Sequence, residues 1–169
     1  MNRIFKIKLT KLSVIAAAAV IIIIAALSYK NFTENSKTVP DTAVKAAVSD
    51  SDIIIMIKDV TDKPSFYPAT INGTDLEVIA VKASDGSIRT AFNTCQVCYN
   101  SGKGYYKAEG NEMVCQNCGN RFGVNDIEIV KGGCNPVPIT DEYKTVSNET
   151  ITIPRTILSQ AVSIFQNWR

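Results

Sequence analysis

The chain has 169 residues, 46% of them hydrophobic and 20% charged, enough for one compact domain plus an appendage but not for two large cores. Its net charge of +2, with lysines scattered except near the N-terminus, gives no electrostatic footprint for nucleic acid or another acidic partner. Five cysteines and no histidine exclude imidazole ligation, a Cys-His catalytic dyad and c-type haem attachment.

Residues 1–11 carry Arg3, Lys6, Lys8 and Lys11 with no acidic residue, and residues 12–29 then run without a charge through the alanine run 16–19 and the isoleucine run 21–24. That pattern predicts a single transmembrane helix over 12–29, with the basic flank in the cytoplasm and the rest of the chain outside. A cleaved signal peptide ending near Ala26-Leu27-Ser28 and a buried core helix are the alternatives. The apolar run is longer than an ordinary signal-peptide core, which favours an anchor in the cell membrane. Residues 30–50 turn polar, include Pro40, and read as a linker with room for a helical turn or two over 41–48. The extracytoplasmic domain then spans 51–169.

Within that domain, Ile53, Ile54, Ile55 and Ile57 around Met56 predict a strand over 51–60 buried on both faces. Pro64 and Pro68 predict an interruption. Asn72-Gly73 and Asp85-Gly86 are hairpin signals, and the runs 76–81 and 88–92 beside them alternate as strands, so an antiparallel meander delivers the chain to Cys95. Residues 104–107 and 112–114 flank turn material at 108–111, which predicts a second hairpin. Residues 121–122 and 127–130 read as short extended pieces. Gly132-Gly133 frees the backbone just before Cys134 for a close approach. Residues 151–153 are a last strand, Pro154 can start a helix, and Ile157, Leu158, Ala161, Val162, Phe165 and Trp168 form one apolar stripe expected to pack on the sheet.

The fold class that follows is mostly β (α+β), a small antiparallel domain with a C-terminal amphipathic helix. Its centre of gravity is the cysteines, all of which fall between Cys95 and Cys134. The pairs Cys95-Gln96-Val97-Cys98 and Cys115-Gln116-Asn117-Cys118 are separated by a hairpin-length segment and match the two-knuckle metal template of zinc ribbons and rubredoxin-like sites. Two residues between thiolates let a tight turn aim both sulfurs at one cation, and two such turns complete a tetrahedron suited to zinc or iron. Gly119 supplies the left-handed residue that such a turn needs. Disulfides are the ordinary fate of cysteines outside the cytoplasm, but five is odd and a bridge across CxxC constrains little. A redox-active dithiol would require a βα junction that the pattern lacks. A metal centre is therefore preferred, with iron and zinc both open. Cys134 is either a buried free thiol or part of the centre, and its Gly-Gly-Cys-Asn-Pro loop favours the latter.

The run from Val81 through Phe92, then Cys95-Gln96-Val97-Cys98, Gly102-Lys103-Gly104-Tyr105-Tyr106, Val114 through Phe122 and Gly132 through Ile139 resembles the FtrD-like family of membrane iron-sulfur proteins over residues 65–139. The resemblance implies a membrane-attached, extracytoplasmic iron-sulfur protein, associated in some members with iron transport and passing electrons to neighbouring components. Carried over by position, Cys95, Cys98, Cys115, Cys118 and also Cys134 would be the ligands. Some relatives carry several membrane segments where this chain has one.

The expectation is thus a single-pass electron-transfer or metal-handling protein with membrane transport or redox partners, binding an iron-sulfur centre or iron. No serine, histidine or carboxylate constellation marks it as a stand-alone enzyme. A structural zinc-ribbon module of a transport complex is the alternative from another class. A copper-delivery protein using Cys134 and Met113 is the third.

Overall fold

The structure, a computed structural model, describes residues 43–169. The basic N-terminus, the apolar segment 12–29 and most of the linker lie outside the described residues. Among the described residues no helix is long and apolar enough to cross a membrane.

The chain forms short strands in succession: β1 (Ala43–Val44), β2 (Val48–Ser49), β3 (Ile53–Met56), β4 (Ser65–Ile71), β5 (Thr74–Lys82) and β6 (Ile88–Cys95). They are followed by β7 (Tyr106–Glu109), β8 (Glu112–Cys115), β9 (Arg121–Gly123), β10 (Pro136–Pro138), β11 (Thr145–Val146) and β12 (Thr150–Ile153). Helix α1 (Arg155–Ala161) closes the chain and tightens into a 3-10 turn over Val162–Phe165. The mostly β domain with a C-terminal helix is as expected.

Three sheets are built from these strands. The largest runs β1-β4-β5-β6-β10 with β2 also on β4, the second is β11-β12-β3, and the third is β7-β8-β9. The β4–β5 hairpin turns at Asn72 and Gly73, both with positive φ (50° and 76°), the conformation that a two-residue turn between twisted strands demands. The β5–β6 turn uses Gly86 at φ 85°, and the Asp85 carboxylate accepts hydrogen bonds from the Ser87 N–H at 3.0 Å and from Arg89 at 2.7 Å.

Four local expectations are corrected. The break before β4 ends at Pro64, as expected, but residues 65–68 run on as strand, because Pro68 lies inside β4 at the gap between the partners of β1 (Ser65, Phe66) and of β2 (Ala69, Thr70), where a missing N–H leaves no such pairing incomplete. β3 is buried on one face only: Ile53 and Ile55 point inward while Ile54 is 60% exposed, since β3 lies at the edge of its sheet and covers the core from one side. Residues 127–130 are turns, with Glu128 at φ 71°, and β1 and β2 stand where helical turns were expected.

Sheet burial is two-sided at β5. Leu76, Val78 and Ala80 enter one apolar cluster with Ile53, Ile55, Ile151, Ile153, Leu158, Phe165 and Trp168, while Ile79 and Val81 enter a second with Phe66, Met113, Phe122 and Ile127. The α1 stripe packs into the first cluster, as its spacing predicted: Leu158 is fully buried and Phe165 meets Phe92 and Trp168 edge to face. Met113 is fully buried in the second. Cys95 and Cys115 belong to that second cluster, so the cysteine site grows from one end of the large sheet.

Candidate metal centre

Each knuckle sits at the end of a strand. β6 ends at Cys95, whose N–H donates to the Gly104 carbonyl at 2.7 Å, and the next turn aims the Cys98 and Val97 N–H groups at the Cys95 sulfur, at 3.2 and 3.4 Å. β8 ends at Cys115, whose N–H donates to Asn120 at 2.9 Å, while Gly119, at φ 73°, returns its N–H to the Cys115 carbonyl at 2.8 Å. Burial raises the Cys115 thiol, and the Cys118 and Asn117 N–H groups act against that rise in favour of the thiolate. Both turns thus offer backbone donors to a sulfur, the arrangement that stabilises thiolate over thiol. Gly104 is required for this packing: a Cβ there would run into the Cys98 carbonyl oxygen and stand 2.7 Å from the Tyr99 Cα.

The third arm is the loop 132–136. Gly132 and Gly133 have φ of 86° and 67°, and no atom lies within 4 Å of where a Cβ would stand on either. The glycines are needed for two successive left-handed residues, not for the close approach expected from the sequence. β10 pairs Pro136 with Cys95, then skips in register so that Val137 faces Phe92, a bulge beside the site that carries Cys134 across it. The loop is clasped from three sides. Gln96 accepts from the Gly132 N–H at 3.1 Å and donates to Pro136 at 3.2 Å. Asn120 and Tyr106 each donate to the Cys134 carbonyl at 2.9 Å.

The five sulfurs converge. Cys134 Sγ lies 3.1 Å from Cys95 Sγ, 3.7 Å from Cys98 Sγ and 2.8 Å from Cys118 Sγ, and the sulfurs of Cys95, Cys98, Cys115 and Cys134 all lie within 4.8 Å of one another. Cys118 is the exposed member and falls outside that compact foursome. All five are free thiols. A tetrahedron of sulfurs at a metal–sulfur distance of about 2.3 Å has edges of roughly 3.8 Å, so the donor set and its spacing fit one thiophilic ion.

Electrostatics within the site are uneven. Burial opposes the Cys95 thiolate, but the Tyr106 hydroxyl, the Cys98 N–H and Cys134 outweigh it and hold its pKa below the ordinary thiol value. Burial raises Cys115 to about 11. Cys118, hydrogen-bonded by Cys134 and by the Asn120 backbone, is lowered to about 7. Burial, followed by the surrounding sulfurs, pushes Cys134 far up. A cation among these sulfurs removes that conflict, because every coordinating thiol is then deprotonated.

Sequence reasoning named the five cysteines and missed the clasp. Tyr106 was recoverable, since hairpin register places it opposite Cys115. Gln96, next to Cys95, and Asn120, two residues after Cys118, carry no signal of their own beyond that proximity.

Comparison with known proteins agrees with this centre. No curated protein and no solved structure matches the chain. The family model for FtrD-like membrane iron-sulfur containing proteins matches residues 60–165, well over half of the sequence and the whole of the cysteine site. The chain therefore belongs to the FtrD-like family of membrane iron-sulfur containing proteins.

Proposed function

We propose that the protein is a membrane-anchored electron carrier that holds iron on cysteine sulfurs outside the cytoplasmic membrane and serves a metal-transport system. The observation that carries this reading is the convergence of five sulfurs, with backbone N–H groups aimed at the Cys95 sulfur. Iron in such a shell supplies a one-electron couple whose potential depends on hydrogen bonds to sulfur and on solvent exposure. The frame around it suits that role. The knuckles are fixed to strand ends, so their sulfurs need little rearrangement when charge changes, and the exposed Cys118 gives the centre an edge toward solvent and a partner. The family description supports membrane attachment and iron. The basic residues Arg3, Lys6, Lys8 and Lys11 support a cytoplasmic N-terminus.

The test is anaerobic purification of the full-length chain in detergent, followed by metal and sulfide analysis, an absorption spectrum and a redox titration. Iron with a reversible one-electron couple supports the proposal. Zinc without colour refutes electron transfer and leaves a zinc-ribbon interaction module. Copper points to soft-metal delivery.

A further inference from the structure

Cys118 is the exposed cysteine, where Cys95 and Cys115 are buried and Cys98 and Cys134 partly so, and it stands outside the foursome Cys95, Cys98, Cys115 and Cys134. The Cys134 sulfur nevertheless comes within 2.8 Å of the Cys118 sulfur, closer than it comes to those of Cys95 at 3.1 Å and Cys98 at 3.7 Å. The backbone holds the two residues face to face. Asn120, two residues after Cys118, donates its side-chain amide to the Cys134 carbonyl at 2.9 Å, and Gly119 returns its N–H to the Cys115 carbonyl at 2.8 Å, so the loop 132–136 is tied to the turn that carries Cys118. Disulfide sulfurs stand about 2.05 Å apart, so this gap closes with a movement of about 0.8 Å. Cys95 and Cys134 are nearly as close, but Cys95 is fully buried and offers no sulfur to a reagent from solvent.

We infer that Cys118 and Cys134 form a disulfide whenever no ion holds their sulfurs, with Cys118 the nucleophile toward small disulfides and Cys134 the resolving thiol. The Cys118 thiolate attacks one sulfur of a small disulfide, whose S–S bond breaks; one thiol leaves with the Cys118 proton, and a mixed disulfide remains on Cys118. Cys134 then attacks the Cys118 sulfur, and the second thiol leaves with the Cys134 proton. Two protein thiols are oxidised and one small disulfide is reduced to two thiols. The bridge withdraws Cys134 from the foursome, so three of its four sulfurs remain for an ion. That consequence rests on the sulfur-ligated reading above, whereas the bridge itself does not. In an oxidising compartment, bridge and ion then compete for Cys134.

The test uses the full-length chain in detergent, stripped by a chelator, treated with oxidised glutathione and alkylated. Trypsin separates peptide 132–144, which carries Cys134 alone, from peptide 108–121 with Cys115 and Cys118 and from peptide 90–103 with Cys95 and Cys98. The wild-type chain should lose two of its five thiols, and mass spectrometry with fragmentation should find Cys134 joined to Cys118. Cys134→Ser should stop at a glutathione adduct on Cys118, and Cys118→Ser should slow the oxidation of Cys134 by at least about tenfold. A bridge within either CxxC pair, a bridge from Cys95 to Cys134, or a Cys118→Ser chain that oxidises Cys134 at the wild-type rate overturns the inference. Zinc, which is redox-inert, reads the consequence: the oxidised chain should bind it at least about tenfold more weakly than the reduced chain, and dithiothreitol should restore the affinity. A mapped Cys118–Cys134 bridge that leaves zinc affinity unchanged, or a reduced wild-type chain that takes up neither zinc nor iron, overturns the sulfur-ligated reading while the disulfide pair stands.

Discussion

Replacing Gly104 by alanine tests whether the first knuckle is packed as tightly as its backbone shows. The added methyl carbon would overlap the Cys98 carbonyl group and come to 2.7 Å from the Tyr99 Cα. Both neighbours are backbone atoms of the knuckle, so no side chain can swing away and the turn itself must shift. Forced overpacking of this kind costs about 1–3 kcal/mol. At roughly 4 °C per kcal/mol for a domain of this size, the melting temperature should fall by about 4–12 °C. The shift also pulls on the bond between the Cys95 N–H and the Gly104 carbonyl, so metal affinity should drop by about tenfold or more, as for other groups that orient ligands. Gly110→Ala is the control: it has φ 60° and open space around it, so it should cost about 1–2 kcal/mol of backbone strain and leave affinity untouched. Thermal melts of metal-free and loaded protein, with a competitive metal titration, read both quantities. A Gly104→Ala chain with wild-type melting temperature and affinity would refute the packing argument.

Other outcomes follow from the same geometry. Cys134→Ser and Cys95→Ser should each lower metal affinity more than Cys118→Ser does, since Cys118 stands outside the compact foursome; metal content retained by Cys134→Ser but lost by Cys118→Ser would show that the foursome is wrong. Lys144→Met strands the Glu128 carboxylate, which now receives the Lys144 ammonium at 2.7 Å in a nearly closed pocket, and should cost about 3–5 kcal/mol in a denaturant titration, with Lys144→Met/Glu128→Gln recovering part of the loss. A single mutant at wild-type stability would count against this pair as a buried one. A reporter fused after Arg169 should be active only outside the cytoplasm, and cytoplasmic activity would reverse the topology.

What the sequence disclosed was what short-range chemistry decides. Asn72-Gly73 and Asp85-Gly86 marked their turns because few residue types tolerate positive φ, and the α1 stripe was visible because burial imposes helical spacing. Position 68 misled because a proline is a breaker only where its absent N–H was needed, and that depends on which neighbours pair beside it. Residues 127–130 misled because β-branched residues suggest a strand. Only Ile127 is buried, and Glu128 is drawn inward to the Thr90 N–H at 2.9 Å and to Lys144, partners distant in sequence. The site divides in the same way. Cysteine spacing announced the ligands, whereas the Gly104 approach and the Gln96, Tyr106 and Asn120 clasp are created by tertiary contacts that no local pattern encodes.

The division of the core bears on what metal removal does. Small metal-stapled domains commonly unfold without their ion. Here the first apolar cluster, which holds β3, β12, α1 and one face of β4 and β5, contains no cysteine, and of the seven residue pairs of the β4–β5 hairpin only Phe66–Ile79 lies in the cluster that holds the cysteines. Cys95 and Cys115 belong to the second cluster and Cys98 and Cys134 pack against it, with the small β7-β8-β9 sheet contributing Tyr106, Met113, Cys115 and Phe122. Chelation should therefore leave the large sheet protected while loosening β7–β9 and the loop 132–136, which pack around the sulfurs. Hydrogen exchange measured with and without chelator should show amides in β4, β5 and β12 nearly unchanged, and amides in β7–β9 and the loop 132–136 exchanging at least tenfold faster. Subglobal opening of this kind is expected where local stability is uneven. If chelation instead releases every strand together, the metal centre is part of the folding nucleus of the whole domain, and the separation of the two clusters carries no energetic meaning.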